Sequence, residues 1–231
     1  MKLGFDIISD LNLSFTNKLD WEGKPTSLFC IITGNLSDDL RVLDHTLTHL
    51  SKLYQGVFFI DGPLEVGLLS NHTLRVAQIA ALTEKYKNVV YLHNNVVIVD
   101  GVAIVAINGW YGNYTPEDGI DQIRLAYHMH EDVAYLHKTI EKLQLHVDVK
   151  KILIVSSSVP MVDLFYNEIP FLSDDDGLTT ALGEDTERKV DKWVFGSSNK
   201  MVDAILDGIN YVSNGCFDKT PYWPKRIEIS L

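Results

Sequence analysis

The chain is poor in cysteine. It has two, Cys30 inside an apolar run and Cys216 in a turn-like stretch, too few for a disulfide framework. It also lacks any apolar run near the ~20 residues that span a bilayer. The stretch after Lys2 is interrupted by Asp6 and Asp10 too early to read as a secretory leader. A reducing, cytoplasmic setting with no membrane contact is therefore expected. Positive charge is in deficit as well: 20 Lys and Arg against 31 Asp and Glu leave a net charge of −11. Such a field repels nucleic acid and other polyanions, so nucleic acid is not an expected partner. No Lys/Arg cluster offsets it, since Lys150-Lys151 and Lys225-Arg226 are isolated pairs. A site for phosphates would need metal as its counterweight.

What is present is the composition of a globular protein, 46% hydrophobic and 22% charged, in a chain long enough for a substantial core. No repeat or linker interrupts it, and one domain over residues 1–231 is expected. "KLGFDII" (2–8), "SLFCIITG" (27–34) and "GVFFIDG" (56–62) read as buried strands. Between the last two, residues 38–54 repeat leucine at helical spacing, at Leu40, Leu43, Leu47, Leu50 and Leu53. Residues 70–87 read as a second helix, capped by Ser70 or Asn71. Short strands follow at 89–92, 95–99 and 102–107. Asp100-Gly101 between β-branched runs is a two-residue hairpin signal, and Asp207-Gly208 within 201–213 is another. A long helix over 119–145, strands at 150–158 and from 192, and a closing strand "KRIEISL" complete an α/β pattern.

In open α/β sheets, ligand chemistry collects beyond the carboxyl ends of the strands. Five strands end in polar loops: "SDLN" (9–12), "TGNLSDD" (33–39), "DGPLE" (61–65), "SSSVP" (156–160) and "GSSN" (196–199). Their order and spacing resemble the calcineurin-like metallophosphoesterases, and the stretch "VVYLHNNVVIVDGVAIVAINGWYGNY" is similar to one found in small bacterial and phage members. The resemblance covers nearly the whole chain. It implies a four-layer α/β/β/α sandwich of two mixed β-sheets flanked by helices. It also implies two divalent metals, such as Mn, Fe or Zn, that activate a bridging water and clamp a phosphate.

The motifs of that family are Asp-x-His, Gly-Asp-x-x-Asp, Gly-Asn-His-Glu/Asp, a His shortly before a Pro, and Gly-His-x-His. Here the first keeps Asp10 but has Asn12 for His. The second keeps Gly34 and Asp38 but has Asn35 for the bridging Asp. The third keeps Gly62 and Glu65, with Pro63 and Leu64 replacing the ligand Asn and the acid His. The fourth has Ser157 for His, with Pro160 in place, and the fifth has Ser197 and Asn199 for both His. Only Asp10 remains a good metal ligand among the ligand positions the resemblance implies.

Amides and hydroxyls are neutral donors that do not suit Zn, Mn or Fe, and Leu64 cannot protonate a leaving group. Without metals, Asp10, Asp38 and Glu65 would face an incoming phosphate as bare negative charge. The expectation is a pseudo-enzyme with no cofactor and no active catalytic residue, serving protein interaction or assembly with a protein partner or a second copy. A phage structural, virion-associated role is expected if the chain is of phage origin. Two alternatives stand beside it: a residual phosphoesterase with one weakly held Ca²⁺ or Mg²⁺ on Asp10, Asp38 and the amide oxygens of Asn12, Asn35 and Asn199, and a binder of a small ligand in the old cleft that it does not turn over. The Asn and Ser replacements can hydrogen-bond one another and the loop backbone, so neutralising the site should stabilise the metal-free fold.

Other candidates read as structural. His45 and His49 have metal-chelating spacing but no Glu partner and are expected on a helix surface. His128, His130, His137 and His146 are expected to be exposed or interfacial, and His72 to lie in a capped helix. Ser156, Ser157 and Ser158 lack a nucleophile elbow. Asp174, Asp175 and Asp176 lack the alternating ligands of a Ca²⁺ loop. Trp110, Tyr111 and Tyr114 are expected to pack at the rim of the site or to form a docking surface.

Overall fold

A computed structural model describes residues 1–16, 25–67, 71–109, 119–160, 188–198, 200–215 and 222–231. Cys216, Ser70, the aromatic loop with Trp110, Tyr111 and Tyr114, the acidic run Asp174–Asp176, and Asn199 lie outside the described residues. The strands are β1 (Lys2–Ile8), β2 (Phe29–Thr33), β3 (Gly56–Ile60), β4 (Val89–Tyr91), β5 (Asn95–Val99), β6 (Val102–Ile107), β7 (Lys151–Ser156), β8 (Val190–Phe195), β9 (Met201–Leu206), β10 (Ile209–Asn214) and β11 (Lys225–Ser230). The helices are α1 (Leu40–Leu53), α2 (Pro63–Val66), α3 (His72–Thr83) and α4 (Gly119–Leu145).

The strands form two mixed sheets, one of five in the order β11-β1-β2-β3-β4 and one of six in the order β5-β6-β7-β8-β10-β9. β1 to β4 are parallel, and β11 runs antiparallel beside β1. β6, β7, β8 and β10 are parallel, with β5 and β9 as antiparallel edges. The alternation of side chains along a strand sorts their residues between layers. Phe5, Ile7, Ile31, Phe58 and Ile60 of the first sheet meet Val102, Ile104, Ala106, Leu153, Val155 and Val194 of the second. Their neighbours Cys30, Ile32, Val57 and Phe59 turn to Leu43, Leu47 and Leu50 of α1 and Ile79 of α3. Ala103, Val105, Ile107, Ile152, Ile154, Trp193 and Phe195 turn to Leu136, Ile140 and Leu143 of α4. Helix, sheet, sheet, helix is thus the layer order, and strands buried on both faces explain the unbroken apolar runs. Each Val, Leu, Ile or Phe among them contributes roughly 1.5–3 kcal/mol on full burial.

The two Asp-Gly hairpins form as expected. Asp100 and Gly101 have φ of 48° and 85°, and Asp207 and Gly208 have 47° and 76°, the paired positive values that two-residue hairpins need. The short α2 is a feature that periodicity does not reveal, since four residues carry no period. At the start of α3, Asn71 holds the N-cap position without a side-chain cap bond. Among the described residues, no helix is long and apolar enough to cross a membrane.

Candidate functional site

The loops after β1, β2, β3 and β8 meet at the carboxyl edge. The β1 and β2 loops run side by side: Asp10 N–H donates to Gly34 O (3.2 Å), Asn12 N–H to Asn35 O (3.0 Å) and Leu13 N–H to Leu36 O (2.6 Å). Gly34 sits at φ 83°, and a Cβ there would lie 2.8 Å from the Gly62 nitrogen, so only glycine lets the β2 and β3 loops touch. Asp10, Asn12, Asn35 and Ser197 all hold left-handed backbone, with φ of 46–56°. Asn and Asp tolerate this better than most residues.

Asp10 is 1% exposed. Its Oδ1 accepts from Asn35 Nδ2 (3.0 Å) and from Ser197 N–H (2.9 Å), whereas its Oδ2 has no hydrogen-bond partner. Burial raises its pKa, and donors at Asn35, Ser197 and Ser198 pull it back. The Ser9 hydroxyl also acts to lower it, although Ser9 Oγ completes no hydrogen bond of good geometry.

Asn35 is the centre of the arrangement. Its Oδ1 accepts from Leu64 N–H (3.1 Å), while its Nδ2 donates to Asp10 Oδ1 and to Ser197 Oγ (2.9 Å). A backbone N–H can only donate, so the bond from Leu64 fixes which end of the amide is oxygen. The end that faces Asp10 is therefore the NH₂, a donor with partial positive charge. It stands where the resemblance would place a carboxylate shared by two cations.

Glu65 is fully buried at the third position of α2. Its Oε2 accepts from the N–H of Asn35 and Gly62 (2.8 Å each), and its Oε1 from Ser37 N–H (3.0 Å) and Leu36 N–H. Burial pushes its pKa up to about 7, and the backbone donors oppose that rise. Glu65 thus braces the β2 and β3 loops and does not look into a cleft. Asp38 is exposed and joins the site only through its backbone carbonyl, which accepts from Arg75 Nη2 (2.7 Å). The acids expected to face a phosphate together are separated: Asp10 is partnered by amides, Glu65 is turned into backbone, and Asp38 is in solvent. Asn12 is exposed, and its amide donates to Asp10 O (3.0 Å). Pro63 opens α2, and Leu64 contributes its N–H. Ser157 is buried and donates to Asn108 O (2.7 Å).

A metal pair does not fit this donor set. Among the described residues, no group of three or more His, Cys, Asp or Glu side chains is placed to hold a metal ion. The amide of Asn35 presents hydrogens where a cation would sit, and Ser157 spends its hydroxyl on a carbonyl. Among the described residues, Asp10 Oδ2 is the one buried carboxylate oxygen of this network without a partner.

Beside this network lies a second polar cluster that sequence reasoning passed over. Asp61, fully buried after β3, accepts from Tyr91 OH (2.6 Å) at Oδ1 and from Asn108 Nδ2 (2.8 Å) at Oδ2. His93 Nδ1 lies 3.5 Å from Asp61 Oδ1. Asp132 of α4, 4% exposed, accepts from Asn94 Nδ2 (2.7 Å) and Gly109 N–H (2.8 Å). The His72 ring lies 5.8 Å from that of His93 and 4.7 Å from that of His128, centroid to centroid. His72 is thus buried in a histidine cluster at the start of its helix. His128 meets it across the gap between α3 and α4, while His130 and His146 are exposed and His137 is half-buried.

Burial and neighbouring histidines lower the pKa of His72 to about 4 and also lower that of His128. Burial pulls His93 down too, but Asp61 and Asp132 more than offset it, and its pKa is raised. Burial raises Asp132. The one sequence signal was the placement of Asp61 and Asn108 directly after buried strands.

No protein-family model and no curated protein matches the sequence. Solved structures do match. A phosphopantetheinyl hydrolase from Mycobacterium tuberculosis aligns with a TM-score of 0.62 at 15% identity, over 93% of this chain and 90% of that one. A putative 5'-nucleotidase from Staphylococcus aureus aligns with a TM-score of 0.54 at 11% identity; it covers 98% of this chain, which spans about half of it (53%). With the two mixed sheets and their flanking helices, these likenesses show the calcineurin-like phosphoesterase fold.

Proposed function

We propose that this chain is a catalytically silent protein on a phosphoesterase fold, in which a hydrogen-bonded network replaces the metal centre and the fold serves protein contact. The observation that carries the reading is the Asn35 amide, whose NH₂ bridges Asp10 Oδ1 and Ser197 Oγ while its oxygen is held by Leu64 N–H. Hydrolysis on this fold needs a carboxylate shared between cations and an acid for the leaving group. Asn35 and Leu64 supply neither. Interaction with a protein partner or a second copy is the role this reading gives the fold.

The competing reading is one weak cation on Asp10, favoured by the unpartnered Oδ2. One set of measurements separates the two: metal content of the purified chain, turnover of an aryl phosphate with added Mn²⁺, and the size-exclusion profile. The proposal expects no stoichiometric metal, no turnover and an oligomer or bound protein. Turnover lost on Asp10→Ala would overturn it.

A further inference from the structure

We infer that the cluster of Asp61, His72, His93, His128 and Asp132 is a proton-operated latch that ties the N-terminal half of α4 to α3 and β4, closed near neutral pH and released in acid. Its parts come from both halves of the molecule. Asp61 follows β3, His72 opens α3, Tyr91 and His93 belong to β4 and the turn after it, Asn108 and Gly109 follow β6, and His128 and Asp132 lie on α4. Among the described residues 122–131 of α4 none is fully buried, and the first that is buried is Asp132. Among the described residues, the His72–His128 ring contact and the bonds of Asp132 to Asn94 and Gly109 join this stretch to α3 and to the loops after β4 and β6, beside Met129, which packs against the core under α4.

The charge count explains why one proton suits the cluster and three do not. Two buried carboxylates, Asp61 and Asp132, flank His93 and favour its imidazolium form. That single positive charge leaves His72 and His128 best neutral, since their rings lie in contact with each other and His72 also faces His93. Among the described residues, the charged and titratable groups facing them are Asp61 after β3, Tyr91 and His93 from β4 and its turn, and Tyr127, Glu131 and Asp132 from α4. In acid, a second and third imidazolium would be pressed together at the same point, and separation of α4 from α3 relieves that repulsion.

The sign follows from linkage. His72 and His128 have folded pKa values below the unfolded value, so the closed state binds fewer protons than the open one, and closure weakens as pH falls from about 6.5 toward 4. His93 and Asp132 act oppositely: the contribution of His93 is full below the ordinary histidine value and fades as pH rises through its raised pKa, and Asp132, also raised by burial, takes up its proton more readily in the closed state, so the release is carried by His72 and His128 against it.

The latch is independent of the proposed function and is tested on the whole chain. Side-chain NMR titration of the histidines is combined with amide protection, corrected for intrinsic exchange. His72 should titrate well below the ordinary histidine range and His93 above it. Protection in 122–135 should fall at least tenfold between pH 6.5 and 4, while β6 and β7 hold theirs. In His128→Gln, the pKa of His72 should move up toward its ordinary value, and the acid loss of protection should shrink or vanish. Three rings titrating together near 6.5 in the wild-type chain would overturn the latch, whether or not the variant folds. So would an equal acid opening in wild type and variant.

Discussion

Two polar clusters sit beside each other at the carboxyl edge, and they have been treated in opposite ways. Around Asp10 the charges are diluted: amides and hydroxyls surround one carboxylate, and the other acid of the network among the described residues, Glu65, is consumed by backbone N–H groups. Around Asp61 the titratable groups are concentrated: two buried carboxylates and three imidazoles share one space. A fold can keep its loop framework after its catalytic electrostatics change, provided buried polar groups still find partners. The first cluster meets that requirement in part, with neutral donors on Asp10 Oδ1 while Oδ2 stays unpartnered, and in the second Tyr91, Asn108, Asn94 and the Gly109 N–H serve the two carboxylates beside His93.

The comparison can be broken most severely at Glu65. Glu65→Ala strands buried backbone N–H groups in the β2 and β3 loops, and should cost about 3 kcal/mol or more in chemical denaturation. A loss under about 1 kcal/mol would mean that the loops are not braced this way. Next comes Asp61→Ala, which leaves Tyr91 OH and the Asn108 amide without their acceptor and should cost about 2–3 kcal/mol. The same variant should lower the pKa of His93, read by NMR, because the largest attraction on its charged form is removed.

Asn35→Asp tests the neutral network directly. In a chelator it sets a second carboxylate about 3 Å from Asp10, replacing an attractive bond by repulsion, and should cost about 2 kcal/mol at neutral pH. The penalty should fade as pH falls, because the paired acids carry a raised pKa when folded. It is full above that raised value and is gone once pH drops below the unfolded carboxylate range. An unchanged melting temperature at neutral pH would count against the network as a stabilising replacement. The smallest effect is expected from Asp10→Asn. Oδ1 and its two donors are kept while a buried charge is removed, so stability should change by less than about 1 kcal/mol. Added Mn²⁺ or Mg²⁺ should raise the melting temperature of neither form; a metal-dependent rise in the parent chain that the variant lacks would favour the single-cation reading.

Much of the fold was legible because its signals are local. Asp100-Gly101 and Asp207-Gly208 announce hairpins through backbone chemistry alone, and Leu43, Leu47 and Leu50 announce α1 by their spacing. The order of the five loops carried the architecture. The candidate site was legible only in part. The replacement of acids and histidines can be read at Asn35, Leu64, Ser157 and Ser197, but which end of the Asn35 amide faces Asp10 depends on a bond from Leu64 in another loop. The destination of Glu65 depends on backbone donors that no motif names. The histidine cluster was missed for the same reason. His72, His93 and His128 come from three separate elements, and each alone looks like an ordinary helix or turn residue.

The two Asn-Gly pairs of the chain have a chemical consequence. Asn-Gly sequences age fastest by deamidation, because the glycine nitrogen attacks the side-chain amide to close a succinimide ring. Asn108-Gly109 and Asn214-Gly215 are both held against it. The Asn108 amide is bound to Asp61 and the Gly109 N–H to Asp132, while the Asn214 amide is bound to Ile7 O and the Gly215 N–H to Lys200 O. Nucleophile and target are each tied elsewhere, so ring closure requires local opening. Isoaspartate at these two positions would therefore accumulate as a slow clock that counts the time each site has spent locally open.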